Sequence, residues 1–408
     1  MKCGLLGRKL GHSYSPQIHA CLGDYTYELF EKEPEDVADF LKNGNFDAIN
    51  VTIPYKKDVI PYCDVLSDAA RHMGAVNTVV RKRDGTLLGH NTDCFGFSYM
   101  VRRSGLCPCG KKALVLGSGG ASATAVVVLR EMGAEVVVIS RSGENNYDNL
   151  HLHTDAAIIV NATPVGMYPN NGISPIDLGR FPKLEGVLDM IYNPARTKLL
   201  MDAADRGLVA ENGLWMLVAQ AKEAAEWFTG NAIDDAEIVK IHRQLRQQME
   251  NIVLIGMPGC GKSTVGKALA ALCGKAFQDA DARIEALAGK SIPRIFAEDG
   301  EAVFRDWESK ALAELGKQSS LVIATGGGCV TKERNYPLLH QNGCCVWLQR
   351  SLEQLPTDGR PLSQGKDLSQ MFQVRQPLYR QFADMTVQNS GTPEDTAAVI
   401  LKKWEESL

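Results

Sequence analysis

The chain has 408 residues, 45% of them hydrophobic and 23% charged, enough for two or three domains with sizeable cores. A net charge of −4 supplies no basic footprint for nucleic acid or an anionic membrane surface. No apolar run approaches the ~18 residues of a membrane span, and no charged-then-apolar leader is read. The eleven cysteines follow no disulfide framework or zinc-ligand spacing, so a cytoplasmic protein with reduced thiols is expected.

Lys2 to Gly7 reads as a strand running into the loop GHSYSP. Ser15 followed by Pro16 predicts a helix start, with serine as N-cap and proline at the first helical position. Ser13 and Ser15 serve that cap, offer hydroxyls to a polar ligand, or do both. Asp47 to Ile53 is a further strand, stopped by Pro54. Lys56 lies just beyond, either as a solvated surface lysine or as a side chain handed into a cleft. Asp84-Gly85 between alternating strands predicts a two-residue hairpin turn. Counting outward pairs Val80 with Gly89 and Asn77 with Thr92, which sets Asn77 beside Asn91 and Asp93. Buried polar groups are costly when unpaired, so this cluster is either a self-satisfied turn or a binding site.

In the next stretch, Ala113 to Leu116 reads as a strand and Gly117, Gly119 and Gly120 as a tight turn. Ala121 to Met132 is helical, Gly133 caps it, and Glu135 to Ser140 is the following strand. Glycines in that β-loop-α-β setting are a dinucleotide fingerprint, with the pyrophosphate over the helix N-terminus. An NAD-binding fold places Asp or Glu at the end of the second strand. Ser140, Arg141 and Ser142 stand there instead, and a guanidinium with two hydroxyls suits a 2′-phosphate. NADP is therefore favoured over NAD, with Glu144 nearby. Ala156 to Val160 and Val187 to Ile191 read as buried parallel strands, each followed by a small-residue loop. Asn212 to Phe228 is helical, with Leu214, Leu217, Val218 and Ala221 on one face and Gln220 off that stripe. A last helix, about Asp234 to Met249, runs into Ile252 without a flexible linker, which predicts a stiff join.

Asn251 to Thr264 reads NIVLIGMPGCGKST. Gly256, Gly261, Lys262 and Ser263 occupy the G-x-x-x-x-G-K-[ST] places, and Gly259, Cys260 and Thr264 complete a loop whose N–H groups attract phosphates. Asp279 and Asp281, two residues apart, share one side if that segment is extended. Arg305 and Glu308 have the i, i+3 spacing of a helical ion pair. LVIATGGG is a buried strand ending in Gly326, Gly327 and Gly328, where backbone approaches something closely. Arg360 follows in a polar segment, and Arg375 lies in VRQPLYRQFAD. The expected class is α/β throughout. Residues 1–250 form the first domain, with a substrate subdomain at about 1–100 plus returning helices at about 213–250. A Rossmann subdomain spans about 101–212, and residues 251–408 form a P-loop domain of nucleoside-monophosphate-kinase type.

These motifs together resemble two families. Across the first 250 residues the chain is similar to shikimate dehydrogenase. The substrate-site pattern is matched by Ser13 and Ser15 in SYSP, Thr52 and Lys56 in NVTIPYK, and Asn77 in AVNT. Asn91 and Asp93 in NTD, Tyr192, and Gln220 in MLVAQA complete it. The resemblance implies Lys56 and Asp93 as the catalytic pair, and places Ala121, Asn161, Thr163, Met190 and Gly213 near cofactor or substrate. Cys94, Trp215 and Ala123 depart from the family pattern, with Trp215 set to crowd the nicotinamide side. Residues 251–408 resemble shikimate kinase. That implies Lys262 on the phosphates, Ser263 and Asp279 on Mg²⁺, and Asp281 as base. Asp281, Arg305, Gly326 to Gly328 and Arg375 would hold shikimate, and Arg360 would be the lid arginine. The segment between Leu348 and Arg360 is shorter than in many relatives, and an arginine often found there, against the adenine, has no clear counterpart. The combined expectation is a bifunctional enzyme, monomer or homodimer, using NADPH, ATP and Mg²⁺ to turn 3-dehydroshikimate into shikimate and then shikimate 3-phosphate. The alternative is a quinate/shikimate dehydrogenase whose kinase half is weak or regulatory.

Overall fold

Short runs rich in Val, Ile and Leu are buried in three sheets, and the loops at the strand ends carry the polar motifs. The computed structural model describes residues 1–11, 13–355 and 368–408. The first sheet holds β1 (Lys2–Gly7), β2 (Thr26–Glu31), β3 (Ala48–Val51), β4 (Val65–Leu66), β5 (Thr78–Arg81) and β6 (Leu87–His90). Their order is β2-β1-β3-β5-β6-β4, with β5 antiparallel to both β3 and β6. Helices α1 (Ser15–Ala20), α2 (Val37–Asn43), α3 (Asp68–Met73) and α4 (Asp93–Ser104) belong to this part.

Two local expectations are corrected here. Ser15 is the first residue of α1 rather than its cap; Tyr14 holds the cap position without a side-chain bond. Ser13 Oγ accepts the Ser15 N–H at 3.2 Å, so the residue two earlier covers that exposed donor. In the hairpin, Val80 faces Leu88, Val79 faces Gly89 and Thr78 faces His90, one residue off the expected register. The cause is the turn. Lys82 N–H donates to Thr86 O at 2.8 Å and Gly85 N–H to Lys82 O at 2.9 Å, closing a loop one residue longer. Gly85 takes φ 87°, the left-handed position that a three-residue hairpin loop gives to glycine.

The second sheet is wholly parallel: β7 (Lys112–Leu116), β8 (Glu135–Ile139), β9 (Ile158–Asn161), β10 (Gly186–Asp189) and β11 (Val209–Asn212), in the order β11-β10-β9-β7-β8. Strand order reverses at β7, and such a reversal opens a crevice at the carboxyl ends of the strands. Helix α5 (Gly120–Glu131) follows β7 there, and α6 (Lys198–Asp205), α7 (Leu214–Thr229) and α8 (Ala236–Met249) come later.

Only Glu250 separates α8 from the third sheet. Its strands are β12 (Asn251–Ile255), β13 (Ala276–Asp279), β14 (Leu321–Ala324), β15 (Gly343–Gln349) and β16 (Met385–Gln388), in the order β13-β14-β12-β15-β16 and all parallel. Helices α9 (Lys262–Cys273), α10 (Ala280–Ala288), α11 (Ile292–Glu298), α12 (Gly300–Lys317), α13 (Asn335–His340), α14 (Leu368–Phe382) and α15 (Pro393–Ser407) complete this part. Its core runs through Ile252 to Ile255, Val322, Ile323, Val346, Leu348, Tyr379 and Trp404.

The chain divides into two compact units. The first comprises Met1–Val165, Ser174–Tyr192 and Leu199–Arg243; the second comprises Gly166–Ile173, Asn193–Lys198 and Gln244–Leu408. Within the second, Ala195 N–H donates to Asn342 Oδ1 at 2.9 Å and Arg196 Nη2 to Gly343 O at 2.6 Å. The expected boundary at residue 250 falls at the α8–β12 join, whereas the compact units part inside α8. Among the described residues no helix is long and apolar enough to cross a membrane.

Candidate active sites

In the first unit, strand ends aim side chains into one cleft of about 290 Å³. Lys56 follows β3, and its Nζ donates to Asp93 Oδ2 at 2.6 Å. Asp93 opens α4, and its other oxygen accepts Asn77 Nδ2 at 2.9 Å. Asn77 Oδ1 accepts the Thr92 N–H at 2.8 Å, and Asn91 Oδ1 accepts the Asp93 N–H at 3.0 Å. The polar hairpin end is therefore a network that fixes one carboxylate against one ammonium. Ser13, Ser15, Thr52, Lys56, Asn77, Asp93, Tyr192 and Gln220 all line the cleft, joined by Ala121, Met190 and Gly213. Asn91 does not line it; it is 2% exposed and turns its amide to Ala75 O at 3.0 Å. Asn50, which the motifs do not single out, also lines the cleft and accepts the Tyr27 hydroxyl at 2.7 Å. Its sequence signal is a lone amide inside the otherwise apolar β3.

Trp215 stands apart from this cleft, contrary to expectation. Its indole stacks on His242 of α8, with ring centroids 3.5 Å apart and an interplanar angle of 3°. Arg103 of α4 lies 5.0 Å from the ring centroid. On a helix, the residue two before Leu217 points elsewhere, so the larger side chain fills a helix–helix seam. Cys94 is partly buried beside Asp93; burial first, then that carboxylate, pushes its thiol up to about 12.

A separate cleft of about 610 Å³ opens at the β7 reversal. Gly117, Gly119, Ser140, Arg141 and Thr163 line it, with Ser118 and Tyr147 in addition. Gly117 has φ 105°, which glycine adopts freely and which turns the chain under a ligand. Gly120 and Ser142 do not line this cleft. Asn161 supports it from below: fully buried, it donates to Asp189 Oδ1 at 3.0 Å and accepts from Thr163 N–H at 3.1 Å. Ser140 and Arg141 thus stand at the mouth of a crevice carrying a glycine turn and a helix N-terminus, a donor set that fits a phosphorylated dinucleotide.

The second unit has a cleft of about 420 Å³ lined by Gly259, Gly261, Lys262, Ser263, Thr264, Asp281, Arg305, Gly326 to Gly328 and Arg375. Gly261 caps α9 with φ 99°. Lys262 Nζ donates to Gly256 O at 2.9 Å and Met257 O at 3.0 Å, curled over its own loop. Cys260 is 1% exposed and packs beneath that loop. Ser263 Oγ donates to Asp279 Oδ2 at 2.8 Å, which sets a hydroxyl and a carboxylate together as hard oxygen donors for a divalent cation. The Asp279–Asp281 segment is not extended: Asp279 caps α10, and its Oδ1 accepts the Asp281 N–H at 3.0 Å. Burial, and then Asp279, raise the Asp281 carboxyl above its ordinary range.

Arg305 Nη1 donates to Glu308 Oε2 at 2.8 Å, with both side chains buried. Glu308 Oε1 has no partner among the described residues, and burial raises this carboxyl too, against the pull of Arg305. A Cβ on Gly326 would stand 2.8 Å from Glu308 Oε1 and 3.1 Å from Asp281 Oδ1, so glycine there keeps two carboxyls open to the cleft. Arg375 Nη1 donates to Gly327 O at 3.1 Å. Arg350, just beyond β15, also lines the cleft; its place at a strand end is its only mark in the sequence. Arg360 lies outside the described residues.

A doubly-wound sheet beside a lysine–carboxylate cleft, followed by a phosphate-loop domain, defines an α/β enzyme with two nucleotide-dependent centres. The chain belongs to the shikimate dehydrogenase family. The family model for the shikimate dehydrogenase substrate binding domain matches residues 5–79, and that for shikimate kinase matches residues 258–405. The shikimate dehydrogenase (NADP(+)) of Clostridium perfringens strain 13 is 35% identical over 265 residues, 60% of this chain and 97% of that protein. Among solved structures, a chorismate mutase/shikimate 5-dehydrogenase fusion protein from Clostridium acetobutylicum is 35% identical with a TM-score of 0.57, covering 60% of this chain and 97% of that one. Shikimate 5-dehydrogenase from Thermus thermophilus, solved with NADP(H) and shikimate, is 32% identical with a TM-score of 0.55, covering 60% of this chain and 99% of that one.

Proposed function

We propose that this chain catalyses two consecutive reactions on one ring acid: reduction of 3-dehydroshikimate to shikimate with NADPH, then phosphorylation of the new 3-hydroxyl from Mg·ATP. The observation that carries the reading is the Lys56–Asp93 contact of 2.6 Å inside the cleft that gathers Ser13, Ser15, Thr52, Asn77 and Gln220. Reduction of a ketone breaks the C=O π bond, adds hydride at carbon and leaves oxygen needing a proton. NADPH supplies that hydride. Lys56 gives its proton to the oxygen, while Asp93, anchored by Asn77 and Asn91, holds the ammonium in place. Serine and amide groups around the cleft suit a carboxylate and ring hydroxyls.

In the second unit, Asp281 takes the proton from the attacking hydroxyl as a new P–O bond forms and the bond to the leaving ADP breaks. Arg305 and Arg375 offer a carboxylate two guanidinium partners, and Glu308 fixes the first of them. Lys262 would uncurl onto the phosphates, and Ser263 with Asp279 would hold Mg²⁺. Positioning and charge neutralisation are what phosphoryl transfer chiefly needs.

The test is one reaction of purified protein with 3-dehydroshikimate and NADPH, with and without Mg·ATP, following NADPH loss and products by mass spectrometry. Shikimate without ATP and shikimate 3-phosphate with it are expected, and Lys56→Met should lower the first rate roughly 10²–10⁴-fold. A product that stops at shikimate despite ATP overturns the kinase half. A higher kcat/KM for quinate than for shikimate favours the quinate alternative.

A further inference from the structure

Beneath the loop that carries Asn91, Thr92 and Asp93 sits a second acid–base pair that neither reaction uses. His90 ends β6 immediately before that loop, and Glu223 lies on α7 one turn beyond Gln220. His90 Nε2 is 3.5 Å from Glu223 Oε1, and the two side chains are 7% and 21% exposed. The far nitrogen, Nδ1, is 2.7 Å from Ser67 Oγ, which itself accepts the Ala70 N–H as cap of α3. Trp227 stacks on the imidazole with ring centroids 4.1 Å apart. The ring is thus clamped on one edge and one face, with its remaining nitrogen aimed at Glu223.

At this separation neither His90 Nε2 nor Glu223 Oε2 has a hydrogen-bond partner among the described residues. A buried ring nitrogen without a partner is costly, and one proton between His90 Nε2 and Glu223 Oε1 satisfies that nitrogen and ties the two side chains together. Burial raises the Glu223 carboxyl above its ordinary range, with His90 and Lys222 opposing and Glu226 reinforcing the shift. The other charged and titratable neighbours are already engaged or offer no proton. Lys222 is held by Glu226 at 2.7 Å and Asp235 at 3.0 Å. Asp93 is held by Lys56 and Asn77, and Cys94 on α4 keeps its thiol proton.

The same two segments are joined a second time, one helical turn away. Thr92 Oγ1 donates to Gln220 Oε1 at 3.4 Å, so the spacing between α7 and the end of β6 sets where Gln220 stands in the cleft. We infer that His90 and Glu223 are a positioning pair: sharing one proton, they brace α7 against the end of β6 and hold Gln220 in register for the ring acid. The inference rests on the dehydrogenase reading, which the wild-type enzyme tests by its turnover, while the variants test the brace.

The experiment measures kcat, KM for 3-dehydroshikimate and KM for NADPH from pH 5.5 to 9 for full-length wild type, Glu223→Leu and Glu223→Gln. Glu223→Leu should raise KM for the ring acid about tenfold, leaving kcat and KM for NADPH within about twofold. In the wild type, KM for the ring acid should rise toward alkaline pH, as the Glu223 carboxyl, raised by burial, gives up its proton. Glu223→Gln carries a permanent N–H donor, so it should keep the wild-type KM near neutrality and abolish that alkaline rise. The brace is wrong if Glu223→Leu shows wild-type KM and an unchanged pH profile, whatever happens to its melting temperature. Should Glu223→Leu fail to fold, with kinase turnover of the same preparation as the control, an alkaline rise retained in Glu223→Gln overturns the inference alone.

Discussion

Asp281 and Glu308 crowd two carboxyls around Gly326, and the crowding has a sign. Asp281 is raised by burial first and Asp279 second, with Lys262 and Arg305 acting against them. A raised carboxyl holds its proton to higher pH than the ordinary ~3.9, and only the deprotonated form can take a proton from the attacking hydroxyl. The phosphoryl-transfer kcat/KM should therefore fall as pH drops through this raised value. Asp281→Asn should remove that acid limb and lower kcat by roughly 10²–10⁴-fold. Rates between pH 5 and 8 check this; an acid limb that survives in Asp281→Asn assigns the proton to another group. The stability sign is the reverse of a salt-bridged aspartate. With its folded value above the unfolded one, Asp281 contributes stability that is full below the unfolded value and is lost as pH rises through the folded one. Its cost at neutral pH is consistent with a group kept for chemistry rather than for folding.

Helix α7 shows what a stripe of apolar residues does and does not reveal. The apolar stripe locates the helix and sets Gln220 off it, because 3.6-residue periodicity translates directly into a buried face. It does not say which neighbour receives Trp215, since that depends on how α4 and α8 pack. The indole is 8% exposed against His242 and Arg103, away from the cleft that Gly213, Leu217 and Gln220 line. Trp215→Ala should cost roughly 3–5 kcal/mol, the usual penalty for emptying a buried tryptophan site, with KM for NADPH unchanged. Denaturant titration with a parallel kinetic assay checks this; a tenfold rise in KM for NADPH with little loss of stability would return the ring to the cofactor side. The hairpin makes the complementary point. Asp84-Gly85 marks the turn, but one extra loop residue moves every pair by one, and nothing local distinguishes a two-residue from a three-residue loop when both favour glycine. Asn77, Asn91 and Asp93 still meet because the network closes through the loop after β6, beyond the ladder itself. Asn50 and Arg350 escape sequence reasoning for a related reason: a lone polar residue inside a strand or just past its end becomes a site residue only once the sheet order is known.

At the scale of the whole chain, every described residue lining the ring-acid and dinucleotide clefts belongs to the first compact unit, and every one lining the phosphate-loop cleft belongs to the second. Among the described residues neither centre borrows a side chain from the other unit, so changes in one should leave the other within the roughly 0.3–0.5 kcal/mol, or about twofold in rate, expected of independent sites. Lys56→Met should abolish reduction and leave kinase kcat and KM within that margin. Lys262→Met should lower phosphoryl transfer by roughly 10²–10³-fold and leave reduction intact. An equal mixture of the two variants then supplies one working centre of each kind on separate chains. It should convert 3-dehydroshikimate to shikimate 3-phosphate after a lag during which free shikimate accumulates. Wild-type enzyme at the same concentration of each centre should show that same lag, because among the described residues each cleft is lined by its own unit alone. A shorter wild-type lag would mean that covalent linkage carries a kinetic advantage the two clefts alone do not explain. A loss that crosses from one centre to the other in the single variants would mean the units are coupled through residues outside both.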